Sequence, residues 1–234
     1  MLYTEENVRH NIRNREGKRV FFLGEGDRLT PGARDYLRRE RIEIRPAETA
    51  KIETYRLLSG GFVTEKPEHL THLNGDVLVR KTHPRIAFRG KMDTLETELM
   101  LAQLVVSPEI RKALGEILTL ARRLIRCDVL DEPVPEQKLC GLTQEELRKR
   151  SHFPQDYYGQ PHFMPEYTDG AAILQVNRVR CAAREAERMA AQAFTDREGN
   201  PTRVDILQAM NRMSSMLWIL MIQMKKELGE HGAG

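Results

Sequence analysis

From about residue 92 onward, apolar residues recur at the spacing of a helix, and this pattern constrains the fold more than any other feature. In the first such stretch Leu95, Leu99 and Ala102 recur every three or four residues, which places them on one side of a helix. Five helices are predicted, over 92–106, 108–127, 143–153, 170–194 and 203–228, the third of them from the capping box at 143–146 and the proline at 154. Helices that alternate with short connections form bundles, so the sequence predicts a mainly α fold built on a five-helix bundle.

A small β-α-β unit is predicted ahead of the bundle. An apolar strand over 19–23 is followed by Thr30 and Pro31, which suit the cap and the first turn of a helix. An alternating strand over 41–45 completes the unit. The Gly-Glu-Gly-Asp segment at 24–27 lacks the remaining residues of a phosphate loop, so it is interpreted as a plain turn.

Three parts are therefore predicted along the chain. Residues 1–46 form the small N-terminal unit, and 81–234 form the helical-bundle domain. Between them, 47–80 is expected to be an irregular linker that also supplies a phosphate-side segment, because Gly60 and Gly61 interrupt it.

Composition indicates a soluble globular protein. Hydrophobic residues make up 40% of the chain and charged residues 30%, while the net charge of +3 is too small to indicate nucleic-acid binding. No apolar run reaches the roughly 18 residues of a membrane span and no leader is visible, so we expect a cytoplasmic protein. The scattered Cys127, Cys140 and Cys181 favour reduced thiols and no protein metal site.

A basic segment that leads into the first long helix predicts an anion site. Residues 81–96 join a basic strand or loop to the start of a helix that carries two acids, Asp93 and Glu96. Backbone N–H groups at the start of a helix attract negative charge. Taken alone, this segment indicates an anion site at a helix start and nothing more specific.

A second candidate surface lies on the fourth predicted helix. Arg180, Arg184, Glu187 and Arg188 follow i, i+4, i+7, i+8 spacing and therefore share one face. Guanidinium groups bind phosphate oxygens in pairs, and a carboxylate among them orients them or binds a ribose hydroxyl, so this face suits a triphosphate. A solvent-exposed helix of ion pairs is the alternative. Asn211, on the last helix, is either a satisfied core amide or a ligand contact.

Taken together, these segments resemble the PduO-type ATP:corrinoid adenosyltransferases, and the whole chain resembles their ethanolamine-utilization relatives of the EutT type. The family has a Thr before an apolar strand, then Lys, then Pro-Arg, then Gly-x-x-Asp-Glu-Leu-Asn. The matching positions are Thr71, Gly75, Lys81, Pro84, Arg85 and 90–96. Its Arg-x-x-x-Arg-Arg-Ala-Glu-Arg motif matches 180–188, and its Asn-Arg-Leu-Ser-Asp motif matches 211–215. The resemblance covers most of residues 64–226.

The resemblance implies a reaction and an assembly. It implies a trimer of five-helix bundles with active sites between subunits, which transfers the 5′-deoxyadenosyl group of ATP, with Mg²⁺, to the Co(I) of cobalamin. No general base is required, because Co(I) is itself a strong nucleophile and cationic groups stabilise the departing triphosphate. It further implies a role in ethanolamine degradation, association with a bacterial microcompartment, and a flavoprotein reductant as a partner.

Site residues are implied by position in the family motifs. The implied ATP-binding residues are Lys66, Thr71, His72, Lys81, Arg184, Glu187, Arg188 and Asn211. Asp93 and Arg180 would form an ion pair between subunits, and Phe163 would supply an apolar wall over the cobalt, although a plain hydrophobic anchor is the alternative for Phe163. The implied catalytic residues are Phe163, Asp93, Arg180, Arg184 and Glu187, of which Phe163 and Asp93 also contact the corrinoid.

Two departures from the family pattern bear on this chain. The Gly-rich phosphate loop of the PduO type is replaced at 66–70, so Lys66 and His69 are expected to act through charge instead of backbone N–H groups. Many EutT-type members also carry a His and a Cys-Cys-x-x-Cys metal cluster, whereas 47–65 contains neither His nor Cys. We therefore expect no metal held by protein side chains. A non-catalytic protein that carries or docks a corrinoid in an ethanolamine-utilization assembly is the alternative function.

Overall fold

The computed structural model describes residues 2–15, 18–24, 26–46 and 54–231. The chain divides into two compact units, Met1–Thr54 and Tyr55–Gly234. The boundary expected after residue 46 meets a segment outside the described residues, so the three-part division stays a prediction.

The first unit is a small α/β arrangement. Its described elements are β1 (Leu2–Tyr3), α1 (Glu5–His10), β2 (Arg13–Arg15), β3 (Lys18–Leu23), β4 (Arg28–Leu29), α2 (Pro31–Arg39) and β5 (Glu43–Pro46). Strands β3 and β5 pair in parallel, with α2 between them in the chain. Thr30 caps α2 by accepting the Ala33 N–H at 3.3 Å, and Pro31 occupies the first turn. The predicted β-α-β unit is confirmed.

The second unit contains the helical bundle. Its described helices are α3 (Pro84–Gln103), α4 (Pro108–Leu130), α5 (Gln144–His152), α6 (Pro154–Tyr158), α7 (Gly170–Ala193) and α8 (Val204–His231). Five of them match the five predicted helices, and α6 adds a short extra one. The predicted mainly α, five-helix bundle is confirmed.

Helix α3 begins earlier than the apolar spacing indicated. Pro84 takes the first helical position, and the ring Nδ1 of His83 accepts the Arg85 N–H at 3.2 Å, which caps the helix. Residues 84–91 were expected to form a basic strand or loop, and this expectation was wrong. Proline is favoured in a first helical turn because its missing N–H has no partner there in any case.

Helix α8 lies at the centre of the bundle. Its residues Met210, Met213, Leu217 and Met221 are fully buried, and α8 packs against α4, α5, α6 and α7. A helix that is apolar on most sides is stable only when other elements cover it. The central position therefore explains the composition of α8.

A four-stranded sheet precedes the bundle, where an irregular linker was expected. Its strands are β6 (Tyr55–Leu57), β7 (Phe62–Val63), β8 (Leu70–Asn74) and β9 (Val77–Arg80), in the spatial order β7-β6-β9-β8. Gly75, with a φ of +49°, forms the turn between β8 and β9. Strands this short do not produce a clear alternation of apolar and polar residues, so the sequence pattern missed them.

A buried charged cluster fastens this sheet to the helices. Asp128, near the end of α4, is fully buried and accepts Arg85 Nε at 2.7 Å and Arg89 Nε at 2.6 Å. Arg89 also donates to the Leu73 carbonyl of β8 at 2.8 Å. Burial, followed by the charges of the two arginines, lowers the pKa of His83, which keeps its ring neutral and able to cap α3.

Candidate active site

Glu187 on α7 and Asn211 on α8 are joined directly. The Asn211 side-chain Nδ2 donates to Glu187 Oε1 at 2.8 Å. Asn211 is exposed and Glu187 is half-buried, so the pair lies at the surface where the two helices meet. Asn211 is therefore not a core amide.

Three guanidinium groups follow the same face of α7. Arg184 and Arg188 are exposed, and Arg180 is half-buried. The ion pairs between α7 and α3 use other residues: Lys91 with Glu185 and Glu98 with Arg178, each at 2.7 Å. Burial, followed by the charge of Arg184, lowers the pKa of Arg180. Among the described residues, no carboxylate lies within ion-pair distance of Arg180, Arg184 or Arg188.

Phe163 lies in the segment between α6 and α7 and is half-buried. Its ring stacks on that of Trp218 in α8, with centroids 5.4 Å apart and planes 19° from parallel. The Lys225 ammonium lies 5.6 Å from the centre of the Phe163 ring and forms an ion pair with the buried Asp169. Asp169 also accepts the Glu166 N–H at 2.8 Å, and the hydrogen bond from Lys225 lowers the pKa of this carboxyl group.

Asp93 is exposed on α3, whereas the charged residues one turn before and after it, Arg89 and Glu96, are half-buried and paired with Asp128 and Arg122. Residues at helical spacing on the same face are small, weakly polar or apolar, and include Gly90, Thr97, Met100 and Leu104. Met100 is 43% exposed and Leu104 is 75% exposed. In the part of the chain that the structure describes, Asp93 forms no ion pair, and it does not contact Arg180.

The remaining sequence-predicted residues lie on or beside the small sheet: Thr71 and His72 on β8, Lys66 in the loop before β8, and Lys81 just after β9. Lys66, His72 and Lys81 are exposed, and Thr71 is half-buried. The ring Nδ1 of His72 lies 3.1 Å from the Gly75 carbonyl, so the turn fixes its orientation. Among the described residues, none of these four side chains is hydrogen-bonded to the α7 face. One chain therefore presents two separate groups of candidate residues, one on the sheet and one on α7 and α8.

The sequence motifs give no site role to Trp218, Lys225 or Asp169. Trp218 and Lys225 follow Asn211 at intervals of one and two heptads, so all three share one face of α8. That spacing could have indicated that Trp218 and Lys225 lie beside the candidate site. It was not used because the neighbouring apolar residues of α8 made Trp218 resemble another core residue.

Two further features of the described residues concern metal ions and membranes. Over the described ranges, no group of three or more His, Cys, Asp or Glu side chains could hold a metal ion. The prediction that the protein holds no metal through its own side chains stays a prediction. None of the described helices is long and apolar enough to cross a membrane.

Comparisons with known proteins point to one family. A family model described as cobalamin adenosyltransferase matches residues 62–224. The corrinoid adenosyltransferase EutT of Salmonella typhimurium is 31% identical over 242 residues, which cover 94% of this chain and 90% of that protein. The EutT protein of Escherichia coli K12 is 36% identical over 160 residues, which cover 68% of this chain and 60% of that protein.

Solved structures give a weaker likeness. A variant PduO-type ATP:corrinoid adenosyltransferase from Lactobacillus reuteri, complexed with ATP, aligns with a TM-score of 0.49 and 20% identity over 68% of this chain and 92% of that one. A second variant of the type, complexed with cobalamin and ATP, aligns with a TM-score of 0.46 and 16% identity over 77% of this chain and 94% of that one.

Proposed function

Because the chain belongs to the cobalamin adenosyltransferase family, and to its EutT type, we propose that it transfers the 5′-deoxyadenosyl group of ATP to the Co(I) of a corrinoid. Membership confirms the family predicted from the sequence motifs and the predicted class of enzyme. The product is adenosylcobalamin, and the EutT relatives indicate that it serves ethanolamine degradation. We expect a cytoplasmic enzyme that works beside a bacterial microcompartment and receives electrons from a flavoprotein.

The ATP site that we propose is the α7 face. Its guanidiniums, at Arg180, Arg184 and Arg188, form no ion pair with a described carboxylate, and this observation carries the proposal. Three like charges on consecutive helical turns repel one another. The carboxylate on the same face, Glu187, is held by Asn211, so a bound anion would relieve the repulsion. The hydrogen-bonded pair of Glu187 and Asn211 adds an acceptor and a donor beside them, which suits ribose and adenine better than a second phosphate.

The second half of the site is proposed to come from a neighbouring subunit. Lys66, Thr71, His72 and Lys81 lie on or beside the sheet, and none of them is hydrogen-bonded to the described residues of the α7 face in the same chain. The exposed face of α3 that carries Asp93 is suited to burial against another copy, because the apolar side chains of Met100 and Leu104 are also exposed on it. In a homotrimer this contact would bring Asp93 of one subunit to Arg180 of the next.

The corrinoid is proposed to lie against Phe163. The ring is half-buried and is held by Trp218 and Lys225, so it presents a fixed apolar edge rather than a mobile one. An apolar wall excludes water and an axial base from the cobalt, and a cobalt ion without axial ligands is reduced more easily. Asp93 would approach the same space from the neighbouring subunit.

The proposed reaction is a single displacement. The electron pair of Co(I) attacks the 5′ carbon of ATP, a Co–C bond forms, and the C–O bond to the triphosphate breaks with its electron pair leaving on oxygen. Negative charge therefore grows on the triphosphate. Arg184 and Arg188, with Lys66 and Lys81 of the neighbouring subunit, would stabilise this charge, and Mg²⁺ would arrive as part of the ATP substrate.

Calorimetric titration with MgATP tests this site. Arg184→Ala should weaken ATP binding by about tenfold to a hundredfold, since a hydrogen bond to a charged group contributes roughly 1.5–3 kcal/mol. Asn211→Ala should weaken it by about threefold to tenfold, since a hydrogen bond between neutral groups contributes roughly 0.5–1.5 kcal/mol. Arg126→Ala is the control, because it removes the same charge from an exposed position on α4, where the side chain is 68% exposed. Equal affinity in all four proteins would remove the α7 face as the ATP site.

A further inference from the structure

We propose that Trp218 is a positioning residue for Phe163, and that the hydrogen bond from Trp218 to His162 holds the Phe163 segment in its working position. This inference rests on the proposed function, because the working position is defined by the corrinoid. It assigns roles to two residues, Trp218 and His162, that the family motifs leave unassigned.

One indole ring contacts two consecutive residues of the segment. The Trp218 Nε1 donates to His162 Nδ1 at 3.1 Å, with the ring centroids 5.8 Å apart and the ring planes 16° from parallel. The same indole stacks on Phe163 at 5.4 Å. Stacking alone would let the Phe163 ring slide, whereas the added hydrogen bond fixes the register of the segment on α8.

The hydrogen-bond pattern also fixes the state of the His162 ring. An indole N–H can only donate, so His162 Nδ1 accepts and is unprotonated. The other nitrogen, Nε2, lies 3.2 Å from the His152 carbonyl and therefore carries the proton that it donates there. His162 thus bridges the end of α5 to Trp218.

The rest of the segment between α6 and α7 is largely exposed. Met164 is 85% exposed and Tyr167 is 87% exposed. Within the described residues, the other attachment close to Phe163 is the Lys225 and Asp169 pair, which holds Glu166. Trp218 therefore supplies the attachment on the N-terminal side of Phe163, and Lys225 supplies the one on the C-terminal side.

Trp218 also contacts the arginine that is proposed to meet the neighbouring subunit. The Arg180 guanidinium lies 4.8 Å from the centre of the indole. Because the indole of Trp218 contacts both residues, a shift of the Arg180 side chain would also alter the packing of Phe163. We infer that formation of the subunit contact and placement of Phe163 are coupled through Trp218.

Kinetics of the Trp218→Phe and His162→Leu variants test the proposal. Each removes the hydrogen bond, and Trp218→Phe keeps an aromatic ring for stacking. Each should lower kcat by about threefold to tenfold while the KM for ATP stays within about twofold, because loss of one neutral hydrogen bond is worth roughly that factor. The double variant should be no slower than the slower single variant, since both changes remove the same bond.

His162→Gln is the conservative variant, because its side-chain oxygen can still accept the indole N–H. It should recover most of the lost kcat. Tyr167→Phe, which removes one exposed hydroxyl from the following turn, is the control and should match the wild type. Multiplicative losses in the double variant, or a Trp218→Phe enzyme with normal kcat, would overturn the positioning role.

Limited chymotrypsin digestion gives a readout that needs no adenosylation. Trp218→Leu should raise the rate of cleavage after Phe163 several-fold over the wild type, while Tyr167→Phe leaves it unchanged. An unchanged cleavage rate would overturn the positioning role even in an active enzyme. A raised cleavage rate in a protein whose wild type forms no Co–C bond would instead support the positioning of Phe163 and contradict the proposed function.

Discussion

Replacing Asp128 by asparagine should strongly destabilise the second unit. The carboxylate is fully buried and accepts Arg85 Nε at 2.7 Å and Arg89 Nε at 2.6 Å. Hydrogen bonds between charged groups contribute roughly 1.5–3 kcal/mol each, so two of them suggest a loss of about 3–6 kcal/mol. Breaking one side of a buried ion pair typically costs about 3–5 kcal/mol, which agrees with that range.

Urea unfolding followed by circular dichroism measures this loss. Arg122→Gln is the matched control, since it breaks the pair between Arg122 and Glu96, in which the arginine side chain is 58% exposed. An exposed pair of this kind is worth about 1 kcal/mol or less. If Asp128→Asn lowers the free energy of unfolding by no more than the control does, the buried cluster does not fasten the sheet to the helices.

Three further predictions concern the contact between subunits, the metal content and the stability in acid. Asp93→Ala should impair both assembly and turnover. The exchange Asp93→Arg with Arg180→Asp should restore part of the assembly but less of the activity. Normal sedimentation and turnover of Asp93→Ala would show that Asp93 and Arg180 do not pair between subunits. Metal analysis of the purified protein should find no stoichiometric zinc or iron, and one tightly held transition ion per chain would contradict this. The hydrogen bond from Arg203 lowers the pKa of Asp205 from 3.8 to about 2, so its stabilisation is present above about pH 4 and is lost as the pH falls through about 2. Asp205→Asn should therefore be less stable than the wild type at neutral pH, with a difference in unfolding free energy that narrows over that acid range.

The helices could be predicted because their signal is local. Apolar residues such as Leu95 and Leu99 repeat at 3.6-residue spacing within one element, and Pro31 and Thr30 mark a helix start within two positions. The motif residues of α7, Arg180 to Arg188, share a face for the same reason, and the structure places them on one surface.

The contacts that hold the site could not be predicted because they join distant parts of the chain. Asp128 meets Arg89 across 39 residues and Arg85 across 43 residues. Trp218 meets His162 across 56 residues. No periodicity within a single helix records such pairs, and a buried acid in an apolar helix is read from sequence as an ordinary charged residue. The short strands on either side of Gly75 could not be predicted for a related reason. Each is stabilised by pairing with a neighbouring strand, which the apolar pattern of its own residues does not record.

Formation of a Co–C bond is the most direct test of the proposed reaction. Chemically reduced Co(I) cobalamin and MgATP are mixed with the protein without oxygen, and the light-sensitive alkyl-cobalt product is followed by absorbance. We expect adenosylcobalamin in amounts that exceed the protein, with free triphosphate in equal amount, and a large loss of rate in Arg184→Ala but not in Arg126→Ala. A protein that binds cobalamin yet forms no Co–C bond would contradict the proposed reaction and would indicate a corrinoid carrier instead.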